Sequence, residues 1–150
     1  MTPRECLQQL VGGVQQDLDD YDSLHQILNE QYQLLRERNS QGLTDLLKRE
    51  QTLLLPLRQR AALRSKLLAQ LGLDASDHGM RQLLDKLPAN LSEKLSPQWQ
   101  QLQQRVVECK RQNEQNGKLL AIQNQVIRRM LYGEPSSDYS PANPGYNSPY

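Results

Sequence analysis

The sequence predicts an all-α protein: an antiparallel, coiled-coil-like helical bundle of three long helices and one short helix, followed by a disordered C-terminal tail. Composition carries the first part of this reading. Leu (28 residues) and Gln (21 residues) together make up about a third of the 150 residues, and Phe is absent. Both are good helix formers, whereas the β-branched and aromatic residues that strands prefer are scarce. Patterning carries the second part, because apolar residues recur at alternating intervals of three and four over most of the chain. The length suits one domain with a real core, which is read here as residues 1–132.

The first helix is expected from Arg4 to about Arg38. Leu7, Val11, Val14, Leu18, Tyr21, His25, Leu28, Tyr32 and Leu35 form a heptad seam along one side. A helix about 50 Å long at 1.5 Å per residue cannot pack on itself and needs long partners. Gly12 and Gly13 weaken its early turns. Asn39-Ser40-Gln41-Gly42 reads as a short turn, and a second helix runs from Leu43 to Leu71. Its stripe is Leu43, Leu46/Leu47, Leu53/Leu54, Leu57, Ala61, Leu67/Leu68 and Leu71. Pro56 inside it predicts a kink rather than a break, and Gly72 is placed as a helix stop. Residues 74–96 predict one short helix and an irregular crossover. The last helix is expected to start with Ser96 as N-cap and Pro97 as first residue. Its seam is Leu95, Trp99, Leu102, Val106, Cys109, Asn113, Asn116, Leu120, Asn124, Ile127 and Leu131, and Gly133 ends it. Residues 133–150, with four Pro, four Ser and three Tyr but no Leu, Ile, Val, Lys or Arg, cannot bury enough surface to offset ordering.

Charge divides by segment. Residues 1–38 carry three basic and seven acidic side chains, net −4, while residues 41–73 and 97–132 each carry six basic and two acidic, net +4. An acidic helix between two basic ones predicts neighbours in one bundle that pair these charges internally. With a whole-chain net charge of +1 and no interleaved aromatics for stacking, nothing draws the chain to nucleic acid. No run approaches the roughly 18 to 20 apolar residues of a membrane span, so no membrane insertion is expected. The first residues contain no apolar stretch of a secretory signal, and the cytoplasm is the expected compartment.

Little in the sequence points to catalysis, and no cofactor is expected. His25 lies on the first helix's apolar stripe without a metal-pair partner and reads as a packed core residue; His78 lies in the connector. Cys6 and Cys109 read as small hydrophobes. The run Asp17, Asp19, Asp20, Asp22 lacks the Gly turn and the twelfth-position Glu of a calcium loop, so it reads as a solvated face and no metal site is expected.

Two features of the last helix resist a purely structural reading. Polar Asn113 and Asn116, followed by Gly117, sit in its seam, where such residues fix register and permit close approach. After Gly117 the apolar positions Leu119, Leu120, Ile122, Val126, Ile127, Met130 and Leu131 spread over about 180° of the wheel, wider than the roughly 100° one bundle contact uses. Part of that surface is expected to stay uncovered, next to Tyr132 and the tail, as a partner site.

A long first helix, a second ending Arg64-Ser65-Lys66-Leu67-Leu68-Ala69-Gln70-Leu71-Gly72, and a last one with Asn113-x-x-Asn116-Gly117-x-Leu119-Leu120 together resemble the FlgN-type flagellar export chaperones over roughly residues 5–132. The resemblance implies a small, cytoplasmic, non-enzymatic chaperone. It implies binding to the terminal segments of hook–filament junction proteins, protection from aggregation, and delivery to the type III export gate. The family's client contacts would fall on Leu119, Leu120, Ile122, Val126, Ile127 and Met130. Its gate-docking tyrosine, which meets the FlhA cytoplasmic domain, would be Tyr132, with Tyr139 as the fallback. A monomer or weak homodimer is expected on this reading. The competing one is a structural coiled-coil subunit that oligomerises permanently through the same heptads.

Overall fold

The computed structural model describes residues 2–133; the tail and Tyr139 lie outside the described residues. Four helices follow in order: α1 (Pro3–Arg36), α2 (Ser40–Gln70), α3 (Asp77–Lys86) and α4 (Ala89–Tyr132). Among the described residues there is no strand.

The helix ends are set by local chemistry. At the start of α1, Thr2 and Glu5 form a reciprocal capping box: the Glu5 N–H donates to Thr2 Oγ1 (3.2 Å) and the Thr2 N–H to Glu5 Oε2 (3.1 Å). The exits of α1 and α2 use the same stop, in which one residue adopts a left-handed conformation and two amides reach back. After α2 that residue is Gly72 (φ 74°), with the Leu73 N–H on the Leu68 carbonyl and the Gly72 N–H on that of Ala69. After α1 it is Arg38 (φ 55°), with the Asn39 N–H on Leu34 and the Arg38 N–H on Leu35. A side chain at positive φ is strained where glycine is not. Arg38→Gly is therefore expected to stabilise the fold by about 0.5–1 kcal/mol, read as a rise in the thermal midpoint. Asn39 then caps α2 through Oδ1, which accepts from the Gly42 N–H (2.9 Å). Ser40–Gly42 is thus already helical, a correction of the expected turn.

The last helix begins earlier than Ser96–Pro97. It starts at Ala89, where the Pro88 carbonyl accepts from the Leu91 and Ser92 amides (3.0 Å each), and no irregular crossover separates it from α3. Burial of Leu95 holds the first turns in place, and α4 continues through Pro97 at the loss of one backbone bond. Likewise α2 continues as one helix across Pro56.

Contacts group the described residues into two compact units, and each long helix contributes a stretch to both. In the first (residues 2–23 with 52–105), α1 and α2 run antiparallel: Cys6 Sγ meets Gln70 Oε1 at 3.5 Å and Asp17 meets Arg60 and Arg64. Apart from buried Asp17 its core is apolar, with Leu10, Val14, Leu57, Leu67, Leu68, Met80 and Leu102 buried. The α3 helix, capped by Ser76, is tied to α4 by Asp77, which accepts from Trp99 Nε1 (2.9 Å) and Gln103 Nε2. In the second unit (residues 24–51 with 106–133), α4 runs parallel to α1, as the first and third helices of an up-down-up arrangement do. The core there mixes Leu24, Leu28, Leu35, Leu46 and Cys109 with buried Gln31, Glu50, Asn113 and Asn116.

Two expectations about α1 need correction. Its buried line is Cys6, Leu10, Val14, Asp17, Leu24, Ile27, Leu28, Gln31 and Leu35, so Leu7, Val11, Leu18, Tyr21, His25 and Tyr32 are only half-buried. Because α1 packs between two helices, its buried face is centred between the two contact lines, and His25 falls on its flank. The acidic run is not a solvated face either: Asp17 and Asp20 pair with Arg60, Asp17 also with Arg64, and Asp22 with Arg105. Among the described residues, only Asp19 of the four is exposed without such a partner. The internal pairing of acidic and basic helices predicted from segment charges is what the structure contains.

Glu50 is 4% exposed, and burial raises its carboxyl above the ordinary value of 4.5. The native state then holds this proton more tightly than the unfolded chain, so its contribution falls as pH rises above about 4.5. Glu50→Gln is expected to be more stable than the parent at pH 7 and indistinguishable from it near pH 4, as paired thermal melts would show. A larger gain at pH 4 than at pH 7 would contradict the sign.

Candidate functional site

The second unit holds α4 to α1 through polar bonds. Asn116 is fully buried; its Nδ2 donates to the Leu28 carbonyl (2.9 Å) and to Gln31 Oε1 (2.8 Å), and its Oδ1 accepts from Gln112 Nε2 (3.0 Å). Breaking such a set leaves several buried groups unsatisfied, so sliding α4 along α1 is costly. This is the register role that seam asparagines predict. One step further, Gln123 Nε2 donates to the Leu35 carbonyl (2.6 Å). There the pairing stops, because α1 ends at Arg36.

The expected seam therefore fails beyond Leu120. Ala121 is the last buried residue of α4, Asn124 is exposed, and Ile127 and Leu131 are exposed rather than packed. Of the anticipated partner residues, Leu119, Leu120 and Val126 are half-buried, while Ile122 and Ile127 are about half exposed. Met130 (78%), Leu131 (69%) and Tyr132 (70%) project almost freely. Helical spacing joins them: Ile122, Val126 and Met130 follow at i, i+4 and i+8, and Ile127 and Leu131 extend the same face. Gln125 Nε2, among them, is buried with no acceptor in reach among the described residues. Leu131 was counted in the apolar spread of the last helix but not among the client contacts, and Gln125 was not anticipated; because α1 ends at Arg36, the last turns of α4 have no α1 to cover them.

Cys6 and Cys109 are buried and form no disulfide among the described residues, and there no group of three His, Cys, Asp or Glu side chains converges as a metal site would require. No helix among the described residues is long and apolar enough to cross a membrane.

A helical framework pinned in register, with one long helix projecting a bare apolar face, is the construction of a protein that binds other proteins. The model of the FlgN protein family matches residues 1–132, and the chain belongs to that family, one of flagellar chaperones rather than enzymes. No curated protein and no solved structure matches the chain.

Proposed function

We propose that the protein is a cytoplasmic type III export chaperone for flagellar hook–filament junction proteins, and that the apolar face of residues 119–131 holds the client. The observation that carries the reading is the exposure of Ile122, level with the end of α1, and of Ile127, Met130 and Leu131 on the part of α4 that outruns it. A terminal segment that is amphipathic and unfolded before assembly aggregates through the surface it later buries. Docking as an added helix on Leu119, Leu120, Ile122, Val126, Ile127 and Met130 would hide that surface. Ordering the client costs a few kcal/mol, which keeps affinity moderate and release easy without a nucleotide. Tyr132, beside the client face rather than within it, serves the export gate through the FlhA cytoplasmic domain.

The test is a titration of purified client terminal peptide against an Ile127→Ser/Met130→Ser double variant. Each side chain is worth roughly 1.5–3 kcal/mol if fully buried in the complex, so binding should weaken about a hundredfold or more. The melting curve should barely move, because both side chains are exposed in the free protein. Unchanged peptide affinity would place the client elsewhere. Tyr132→Ala should leave client affinity intact and reduce client export. Sedimentation of the isolated chain separates the competing assembly-subunit reading: a permanent oligomer that buries this face would replace the chaperone, whereas a monomer or weak dimer agrees with it.

A further inference from the structure

A second surface lies in the first unit, at residues the client face does not use. The α1 face carrying Arg4, Leu7, Val11 and Gln15 and the α4 face carrying Leu91, Lys94 and Leu95 flank an open groove of about 530 Å³. Its floor is apolar, and the two charged residues that line it, Arg4 and Lys94, are both cationic and in no ion pair among the described residues. Gln98 Oε1, also on the groove, is buried with no hydrogen-bond donor among the described residues.

Gly12 lies on the same wall. A glycine inside a helix is less stable than alanine there. No packing among the described residues explains it, since a Cβ built there meets none of their atoms within 4 Å. A missing Cβ in an open groove allows another backbone to approach closely, which favours a helix over a thin acyl chain.

We propose that this groove is a docking site for an acidic amphipathic helix of another protein, lying along α1 and crossing it at Gly12. Its apolar residues at i, i+3/i+4 and i+7 fill the space over Leu7, Val11, Leu91 and Leu95, matching three turns of the α1 wall. Its carboxylates meet Arg4 and Lys94, and a side-chain donor answers Gln98 Oε1. The proposal does not depend on where the client of α4 binds.

The probe is a synthetic helical peptide with Leu at those spacings and Glu on its flanks, together with its Lys-for-Glu twin, titrated against the full chain. The acidic peptide should bind at least tenfold tighter than its twin and weaken with added salt. Arg4→Glu/Lys94→Glu should invert that preference. Gly12→Ala should raise the thermal midpoint and yet weaken the acidic peptide at least tenfold. Gly13→Ala is the control: its Cβ also meets nothing within 4 Å, but it faces α2 beside Leu10, Leu63 and Leu67. It should raise the midpoint and leave affinity unchanged. The Ile127→Ser/Met130→Ser variant should also bind the acidic peptide normally. The proposal is overturned if neither peptide binds, if charge makes no difference, or if Gly12→Ala binds as the parent does. Loss of binding in the Ile127/Met130 variant, preference for anionic vesicles, or a dimer abolished by Gly12→Ala would assign the groove or the peptide to something else, and each would overturn it too.

Discussion

Asp17→Ala should destabilise the fold by about 3 kcal/mol, toward the lower end of the 3–5 kcal/mol seen when one partner of a buried ion pair is removed. The carboxylate is 1% exposed and sits between two guanidinium groups, with Arg64 Nη1 at 2.9 Å from Oδ2 and Arg60 bonded to Oδ1. Burial opposes the charge on Arg60, but its bonds to Asp17 and Asp20 more than offset this and hold the group above its ordinary pKa. Without Asp17 two partly buried cations would face each other across an uncharged gap. Water reaches the arginines at the edge of the pair, which is why the lower end of the range applies. For a chain of this size the thermal midpoint should fall by roughly 6–12 °C. The Asp17→Ala/Arg60→Ala double variant should lose clearly less than the sum of the two single losses, since each single change strands the other partner. A loss under about 1 kcal/mol would mean that the pair behaves like an exposed surface bridge.

The same residue shows where sequence reasoning reached and where it stopped. Segment charges were enough to predict that the acidic first helix pairs with basic neighbours. They could not show that Asp17 lies inside the core line while Asp19 faces water, because that depends on the angle at which α2 and α4 flank α1. A three-four pattern specifies a helix and an approximate face; which residues centre that face is decided by the number of partners. His25 illustrates the cost, as it moved from expected core to flank. Signals that act through a few adjacent residues were readable in part. Gly72 was recognised as a stop, but Arg38 does the same job at the end of α1 with no glycine to mark it. Ser96–Pro97 reads locally as a good helix start, and it was overridden by the packing of Leu95. The exposed apolar face near the end of α4 was legible as surplus apolar width. Its extent was not, because the seam through Ile127 and Leu131 looks the same in sequence whether or not a neighbouring helix is still present to cover it.

Gly79→Ala should be the other severe substitution, and for a reason that composition hides. Gly79 is buried in the first turn of α3, and its N–H faces the Ser76 cap at 3.5 Å. A Cβ placed there would lie 1.7 Å from the Asp74 carbonyl oxygen and 2.8 Å from its carbon. Both are backbone atoms, so no side chain can rotate away; either the connector from α2 or the first turn of α3 must move. Alanine improves helix propensity by about 0.8–1.0 kcal/mol. Overpacking typically costs 1–3 kcal/mol and more where the surroundings are rigid, so a net loss of about 2 kcal/mol or greater is expected. The displacement should also reach Asp77, two residues earlier, and through it Trp99. Trp99 is the single tryptophan, and its indole N–H donates to Asp77 while its ring lies 5.3 Å from the Arg64 guanidinium. Its fluorescence should therefore change in Gly79→Ala before the global melt, whereas Gly13→Ala, which meets no such obstacle, should leave the spectrum alone. An alanine at position 79 that stabilised the protein, as propensity alone would have it, would show that the connector does not cross α3 this closely.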